Sequence, residues 1–156
     1  VHIRPYRTPD AAGTLRVFER AIRETALSHY TAAQVEAWLG APRDLDAWGA
    51  ERARVHTYVA EAEPPESDVI GFADLDDGGY VDRLFVSPDA ARRGVAAALL
   101  GRVAEEARLR GIRRLSTHAS LVARPVFERA GFVVVGPETV ARGGEQLARF
   151  RMERAL

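Results

Sequence analysis

Between Tyr80 and Leu100 the chain reads YVDRLFVSPDAARRGVAAALL, and no other stretch restricts its folding as much. A strand run ends at Ser87-Pro88, a loop of small residues and arginines follows, and an amphipathic helix begins at once. A helix entered in this way leaves its first N–H groups unpaired and pointing outward. Together with the positive end of the helix dipole they form a site for a phosphate or pyrophosphate. Gly94 and Ala96 let the backbone approach an anion closely, and Arg92 and Arg93 add charge. The same residues also fit an ordinary strand-to-helix turn with exposed arginines.

Strand and helix signals alternate on either side. Ile3–Arg7 reads as a strand, and Thr8 or Asp10 as the cap of a helix from Ala11 to Leu27. On that helix Leu15, Phe18, Ile22 and Ala26 share one face. Thr31 to Leu39 predicts a second helix, capped by Thr31 and ended by Gly40, and 42–54 a third. Val55–Ala60 and Val69–Leu75 are strands flanking a short linker, Glu63-Pro64-Pro65-Glu66-Ser67. Asp76-Asp77-Gly78-Gly79 is a hairpin turn into the strand Tyr80–Val86, because glycine supplies the positive φ that such turns require. In the helix Gly94–Arg110, Val95, Leu99, Val103 and Ala107 line one face, and Gly111 caps it. Strand Ile112–Ala119, helix Val122–Ala130, strand Phe132–Val135, the turn Gly143-Gly144 and strand Leu147–Glu153 complete the order. This is a mixed α/β or α+β sheet with helices on both faces, and 156 residues fit one domain, 1–156.

Composition removes rival chemistries. There is no cysteine, lysine or asparagine, so all 22 basic residues are arginines, balanced by 22 carboxylates. That excludes a disulfide, a thiolate nucleophile, cysteine-ligated zinc, a P-loop lysine and a Schiff-base lysine. Zero net charge argues against a nucleic-acid binder, which needs a basic face. A Rossmann fingerprint needs three glycines where Gly94-Val95-Ala96-Ala97-Ala98-Leu99 has one. His2 and His56 have no ligand constellation around them, so no metal site is expected. The N-terminus has no apolar signal core, and no apolar run approaches the roughly 20 residues of a membrane span. A cytoplasmic protein with no membrane partner is the expectation.

The central segment resembles the acetyl-CoA-binding motif of the GNAT superfamily of N-acetyltransferases. That pattern is a strand ending L-x-V-x-P, then Q/R-x-x-G-x-G/A, then an amphipathic helix. Leu84-Phe85-Val86-Ser87-Pro88 and Gly94-Val95-Ala96 fit it at the right separation, and Ile3-Arg4-Pro5-Tyr6-Arg7 resembles the family's first strand. A second pattern, N-x-x-A-x-x-x-Y-x-x-x-G-F, is approximated by Ser120, Ala123, Phe127, Gly131 and Phe132. The resemblance implies a mostly antiparallel central sheet of about seven strands, splayed beside the strand that ends at Val86, with pantetheine in the gap. It also implies acetyl-CoA as cosubstrate and direct transfer to the amine of a small molecule or peptide. Leu84, Phe85 and Val86 would hold pantetheine, the Val86 N–H would polarise the thioester carbonyl, and the amides of Arg92, Arg93, Gly94, Val95, Ala96 and Ala97 would hold the pyrophosphate. A homodimer through the last strand is compatible with the resemblance.

Three positions depart from the pattern. Ala91 replaces Gln or Arg, where backbone amides do most of the phosphate work. Ser120 replaces asparagine and keeps a polar group near the cofactor. Phe127 stands where many members carry a tyrosine whose hydroxyl protonates the departing thiolate, a contribution of about 10²–10⁴-fold for general acids. Ala123-Arg124-Pro125-Val126-Phe127-Glu128 resembles a branch with A-K/R-P-F-F-E, where phenylalanine is usual. A CoA-binding sensor without transferase activity is therefore the alternative function.

Period-two alternation puts Tyr80, Asp82, Leu84 and Val86 on one face. Asp82, with Tyr80, then points to the acceptor side as a base, or Asp82 simply pairs with an arginine. His118 serves as acid or base near neutrality, or packs structurally. His29, Tyr30, Gln34 and Trp38 sit where family members build the acceptor pocket, or they pack the first helices.

Overall fold

In a computed structural model, residues 1–64 and 66–156 are described, and Pro65 of the short linker lies outside them. The predicted alternation becomes β1 (His2–Pro5), α1 (Ala11–Arg20), α2 (Ala32–Leu39), α3 (Leu45–Arg54), β2 (His56–Glu61) and β3 (Val69–Leu75). It continues with β4 (Tyr80–Val81), β5 (Leu84–Val86), α4 (Val95–Leu109), β6 (Arg114–Ser120), α5 (Arg124–Arg129), β7 (Val133–Arg142) and β8 (Glu145–Ala155). The first helix does not stay α-helical to Leu27: after Arg20 it widens into a π turn and then tightens into a 3₁₀ turn.

The strands form two four-stranded sheets, ordered β1-β2-β3-β5 and β4-β6-β8-β7. Every pairing is antiparallel except β4 with β6. Among the described residues eight strands appear where about seven were expected, because the run Tyr80–Val86 breaks in two. On one face α4 and α5 cover Leu75, Val81 and Leu115. On the other, α1, α2 and α3 cover Val59 and Phe72. Leu99, Leu100 and Val103 of α4 are fully buried; burial of such a side chain is worth about 1.5–3 kcal/mol, so α4 is firmly seated against the sheet.

Local chemistry sets the ends of these elements. Thr31 caps α2 with Gln34 in a reciprocal capping box, and Asp44 caps α3 through the Ala47 amide at 2.9 Å. Asp10, expected as a helix cap, instead accepts the Arg7 amide at 2.7 Å and both arms of Arg4 at 2.8 Å. Gly79 closes the β3–β4 hairpin at φ +94°, and a Cβ there would lie 2.4 Å from the Arg114 carbonyl oxygen. Among the described residues no helix is long and apolar enough to cross a membrane, and no group of three or more His, Asp or Glu side chains gathers as a metal site.

Candidate functional site

The break in the Tyr80–Val86 run is a β-bulge. The Asp76 amide donates to the Tyr80 carbonyl at 3.0 Å and the Asp74 amide to the Arg83 carbonyl at 3.1 Å. Val81 and Asp82 therefore stand opposite Leu75 alone, two residues against one. The Asp74 carboxylate holds the extra residue by accepting the amides of Asp82 and Arg83, each at 3.0 Å. Burial pushes Asp74 up to about 6, although those amides and Arg52 favour its charged form.

The bulge redirects side chains, so the expected shared face of Tyr80, Asp82, Leu84 and Val86 does not exist. Leu84 and Val86 pack on the α4 side, whereas Tyr80 turns to the opposite face and meets His118. A one-residue slip in a period-two structure reverses every later side chain.

The bulge also parts the sheets. β4 pairs with β6 only at Tyr80–Ser116 and Val81–Thr117, and β5 then runs on as the edge of the other sheet. Hydrogen bonds from Ser87 N to Ile70 O at 2.8 Å and from Asp74 N to Arg83 O at 3.1 Å mark alternate bonded pairs along β3 and β5. Phe85 opposite Phe72 is the pair between them. Phe85 thus spends its backbone groups on β3, and its ring packs on Phe18 and Phe72. The N–H and C=O groups of Leu84 and Val86 point into the gap. Among the backbone positions assigned to pantetheine, the register favours Leu84 and Val86 over Phe85.

At the far end of β5 the loop into α4 contains two residues with left-handed backbone, Arg92 at φ +62° and Gly94 at φ +77°. Among the described residues the amides of Arg92 through Ala97 have no backbone or side-chain acceptor, while Ala98 N reaches Gly94 O at 3.0 Å. This is a row of unpaired donors at a fifteen-residue helix, the arrangement that receives a phosphate. A second αL residue, Arg92, is a strained position for a non-glycine.

Between the parted sheets lies a cleft of about 210 Å³. Its floor carries a polar chain. The Tyr80 hydroxyl and His118 Nδ1 are 2.7 Å apart, and His118 Nε2 lies 3.6 Å from Glu138. Arg149 Nε in turn donates to Glu138 at 2.9 Å. Burial, then Asp82, pushes Tyr80 up to about 12, so it keeps its proton and donates to Nδ1. Burial, then Arg149, lowers His118, which favours its uncharged imidazole. Asp82 lines this cleft and a second one, of about 370 Å³, reached past Asp74 and Glu51.

Of the acceptor residues expected from the first helices, Trp38 and Tyr30 line the cleft and His29 and Gln34 do not. Tyr30 is locked there: its hydroxyl donates to the Ala148 carbonyl at 2.7 Å and accepts the Leu121 amide at 2.9 Å. His29 is exposed and bonds Ser28 at 2.8 Å. Gln34 spends its side-chain oxygen on the α2 cap and its nitrogen on the Gln146 carbonyl at 2.7 Å. Ser120 lines the cleft, and its hydroxyl accepts the Ala123 amide at 3.1 Å at the start of α5.

Residues 26–153 match the acetyltransferase (GNAT) domain family. The chain belongs to the GNAT acetyltransferase family. It is 34% identical over 154 residues to the uncharacterized N-acetyltransferase YafP of Escherichia coli, covering 97% of this chain and 94% of that one. A GCN5-related N-acetyltransferase from Rhodopseudomonas palustris superposes with a TM-score of 0.91 at 32% identity, over 99% of this chain and 95% of that one. The PaiA N-acetyltransferase of Thermoplasma acidophilum, solved with coenzyme A, shares the fold at a TM-score of 0.79 and 20% identity, over 99% and 98% of the two chains.

Two features of this GNAT chain were not read from its sequence. Glu138 lies on β7, which runs to Arg142 rather than stopping at Val135; Gly136-Pro137 reads as a breaker, but β7 is an edge strand, where proline is tolerated. Arg43 and Arg83 line the cleft, and nothing in their local sequence distinguishes them from the other arginines. Phe127 is buried and packs edge-on against Phe132 at 5.0 Å, so its ring closes the cleft wall without offering a proton.

Proposed function

We propose that this GNAT chain is an acetyl-CoA-dependent N-acetyltransferase that transfers acetyl directly to an amine. The observation that carries this reading is the free edge of β5, where the Leu84 and Val86 backbone groups face away from β3 and Leu84 lines the same cleft as Tyr80 and His118. Leu84 and Val86 would hold the pantetheine arm, and the amides of Arg92 through Ala97 would hold the pyrophosphate. Bound acetyl-CoA supplies a thioester, an electrophilic acetyl carbon with a thiol leaving group.

The chain's own groups then move protons. Asp82, at the junction of the two clefts, takes a proton from the incoming ammonium, and the second cleft offers that proton a way to solvent. The Val86 N–H would donate to the acetyl oxygen. Tyr80 gives its hydroxyl proton to the departing thiolate and regains one from solvent, while His118 Nδ1, 2.7 Å away, positions the hydroxyl. This supplies the hydroxyl that Phe127 lacks.

Phe127 also favours a second reading, a CoA-binding sensor without turnover. Acetyl-CoA is expected to raise the melting temperature, and Gly94→Glu to abolish that shift by placing a carboxylate at the phosphate site. Thiol release across an amine panel separates enzyme from sensor. With no cysteine in the chain, every thiol detected is released CoA. No thermal shift in the wild type overturns cofactor binding; a shift with no thiol release on any amine favours the sensor.

A further inference from the structure

The arginines of this protein fall into two kinds. Arg4 is saturated, with Asp10 on both arms and Glu61 on Nε at 2.6 Å. Arg43 and Arg83 are not. Arg43 is half-buried, its only hydrogen bond runs from Nη1 to the Leu39 carbonyl at 2.7 Å, and no carboxylate lies within ion-pair distance of it among the described residues. Arg83 has Asp82 at 3.9 Å, beyond hydrogen-bond reach, and its buried Nε has no partner.

The two guanidinium groups converge on one aromatic support. Both lie over the Phe18 ring, at 4.5 and 4.8 Å from its centroid, and Arg83 also lies 4.9 Å from that of Trp48. Arg83 raises the cost of charging Arg43, and it does the same to the buried Arg52 behind them. Aromatic faces offset part of the desolvation of a cation, but they satisfy no N–H donor. Two forks of donors are left aimed at a cleft whose lining contains four arginines and one carboxylate, Asp82.

These groups are placed away from the cofactor's phosphates. Arg83 precedes β5 and the phosphate-binding loop follows it, so at least about 10 Å of extended chain separates them. They adjoin Asp82 instead, next to the position assigned to the acceptor amine.

We propose that Arg43 and Arg83 form an anion subsite for the acceptor, and that the substrate is an amine carrying a carboxylate a few bonds from its nitrogen, an amino acid or a close derivative. The proposal rests on the transferase reading and names its substrate class. Asp82 and Arg83 are neighbours in the bulge, so one short zwitterion meets both: ammonium to the carboxylate, carboxylate to the guanidinium groups. Arg suits this role because its planar fork matches a carboxylate in two parallel bonds. An amine without the anion leaves the donors unpaired, which is the strongest form of discrimination available to a small site.

The test uses matched acceptors on the intact protein with saturating acetyl-CoA: L-amino acids, β-alanine and 4-aminobutyrate, their amides, and aminoalkylphosphonates of the same length. The best acid is expected to exceed its amide in kcat/KM by about 10–100-fold, mainly through KM, the worth of charge-assisted hydrogen bonds. Arg43→Gln and Arg83→Gln are expected to bring that ratio near one, and Arg43→Lys to retain part of it as a point charge. Calorimetric titration of N-acetylglycine against N-acetylglycinamide into the wild-type protein with CoA reads the same preference without turnover or a variant. A preference for phosphonates supports the subsite and identifies its anion as a phosphate group. Amides that match or surpass the acids, a ratio that survives in both glutamine variants, or no binding of any acid or phosphonate overturns the proposal. Failure of the transferase reading looks different: acetyl-CoA is neither bound nor consumed, while the acid-over-amide difference in binding remains measurable.

Discussion

Asp10 and Asp74 are both buried, and both accept backbone amides at a turn of the chain, yet they lie at opposite ends of an electrostatic scale. Asp10 has one terminal nitrogen of the Arg4 guanidinium on each oxygen at 2.8 Å. Burial pushes its carboxyl up, but Arg4 and the Arg7 amide more than offset that and hold it below the usual carboxylate range. Asp74 has its nearest guanidinium, Arg52, at 3.8 Å, and burial pushes it up to about 6. The first arrangement is a closed lock between β1 and the start of α1. The second holds a bulge at the mouth of two clefts and leaves its arginine, Arg52, with two nitrogens unpartnered. Saturation marks the place where the fold is tied, and incomplete pairing marks the place proposed to handle a ligand.

The largest expected effect comes from opening the lock. Asp10→Ala leaves the half-buried Arg4 with Glu61 as its one remaining carboxylate partner, and breaking a buried pair from one side costs about 3–5 kcal/mol. Denaturant unfolding should register that loss, with catalysis by the folded fraction unchanged. A change below about 1 kcal/mol would remove the lock from the account.

The pH dependence of stability separates the two carboxylates next. Asp10 is held below its unfolded value, so its contribution is present above about pH 4 and is lost as the pH falls through its lower native pKa. Asp74 has the reverse sign. The native state binds its proton more tightly, so its contribution is greatest at low pH and falls away as pH rises from 3.8 towards about 6. Asn keeps the single oxygen that accepts both bulge amides. Asp74→Asn should therefore remove a slope on the order of 3 kcal/mol across that window, read as melting temperature against pH. An unchanged slope assigns the effect to other groups.

A smaller effect tests what the bulge presents. Tyr80→Phe keeps the ring and removes the hydroxyl at the start of the bulge, and the rate is expected to fall about 10²-fold, the low end for a general acid. Stability should change little, by about 1 kcal/mol, and the rate should lose its dependence on His118. An undiminished rate would return Tyr80 to a packing role and leave the leaving thiol to water.

Much of the fold was legible because it rests on local periodicity. The α4 face of Val95, Leu99, Val103 and Ala107 is buried as its spacing requires, and Gly79 is needed where the hairpin turns. The loop at Arg92 to Ala97 was legible for the same reason, since a helix start leaves donors whatever surrounds it. The rest depended on distant partners. Alternation reads smoothly through Tyr80 to Val86, and nothing local announces that Asp74, on another strand, takes up two amides and reverses the later side chains. Gly136-Pro137 looks terminal until β7 is known to be an edge. Gln34 reads as a pocket residue, yet its amide is consumed by its own helix cap and by β8.

The sequence by itself determined the order of strands and helices, the helix start with its free amides, the absence of thiol and lysine chemistry, and the motif that places the chain among GNAT acetyltransferases. These follow from residue types and short spacings. Only the tertiary structure decided that the run Tyr80–Val86 breaks, that Tyr80 meets His118 at 2.7 Å, and that Arg43 and Arg83 converge on Phe18 with no carboxylate hydrogen-bonded to either among the described residues. Each of those requires residues far apart in the chain to compete for the same donors and the same buried space, and that competition is settled by packing rather than by spacing.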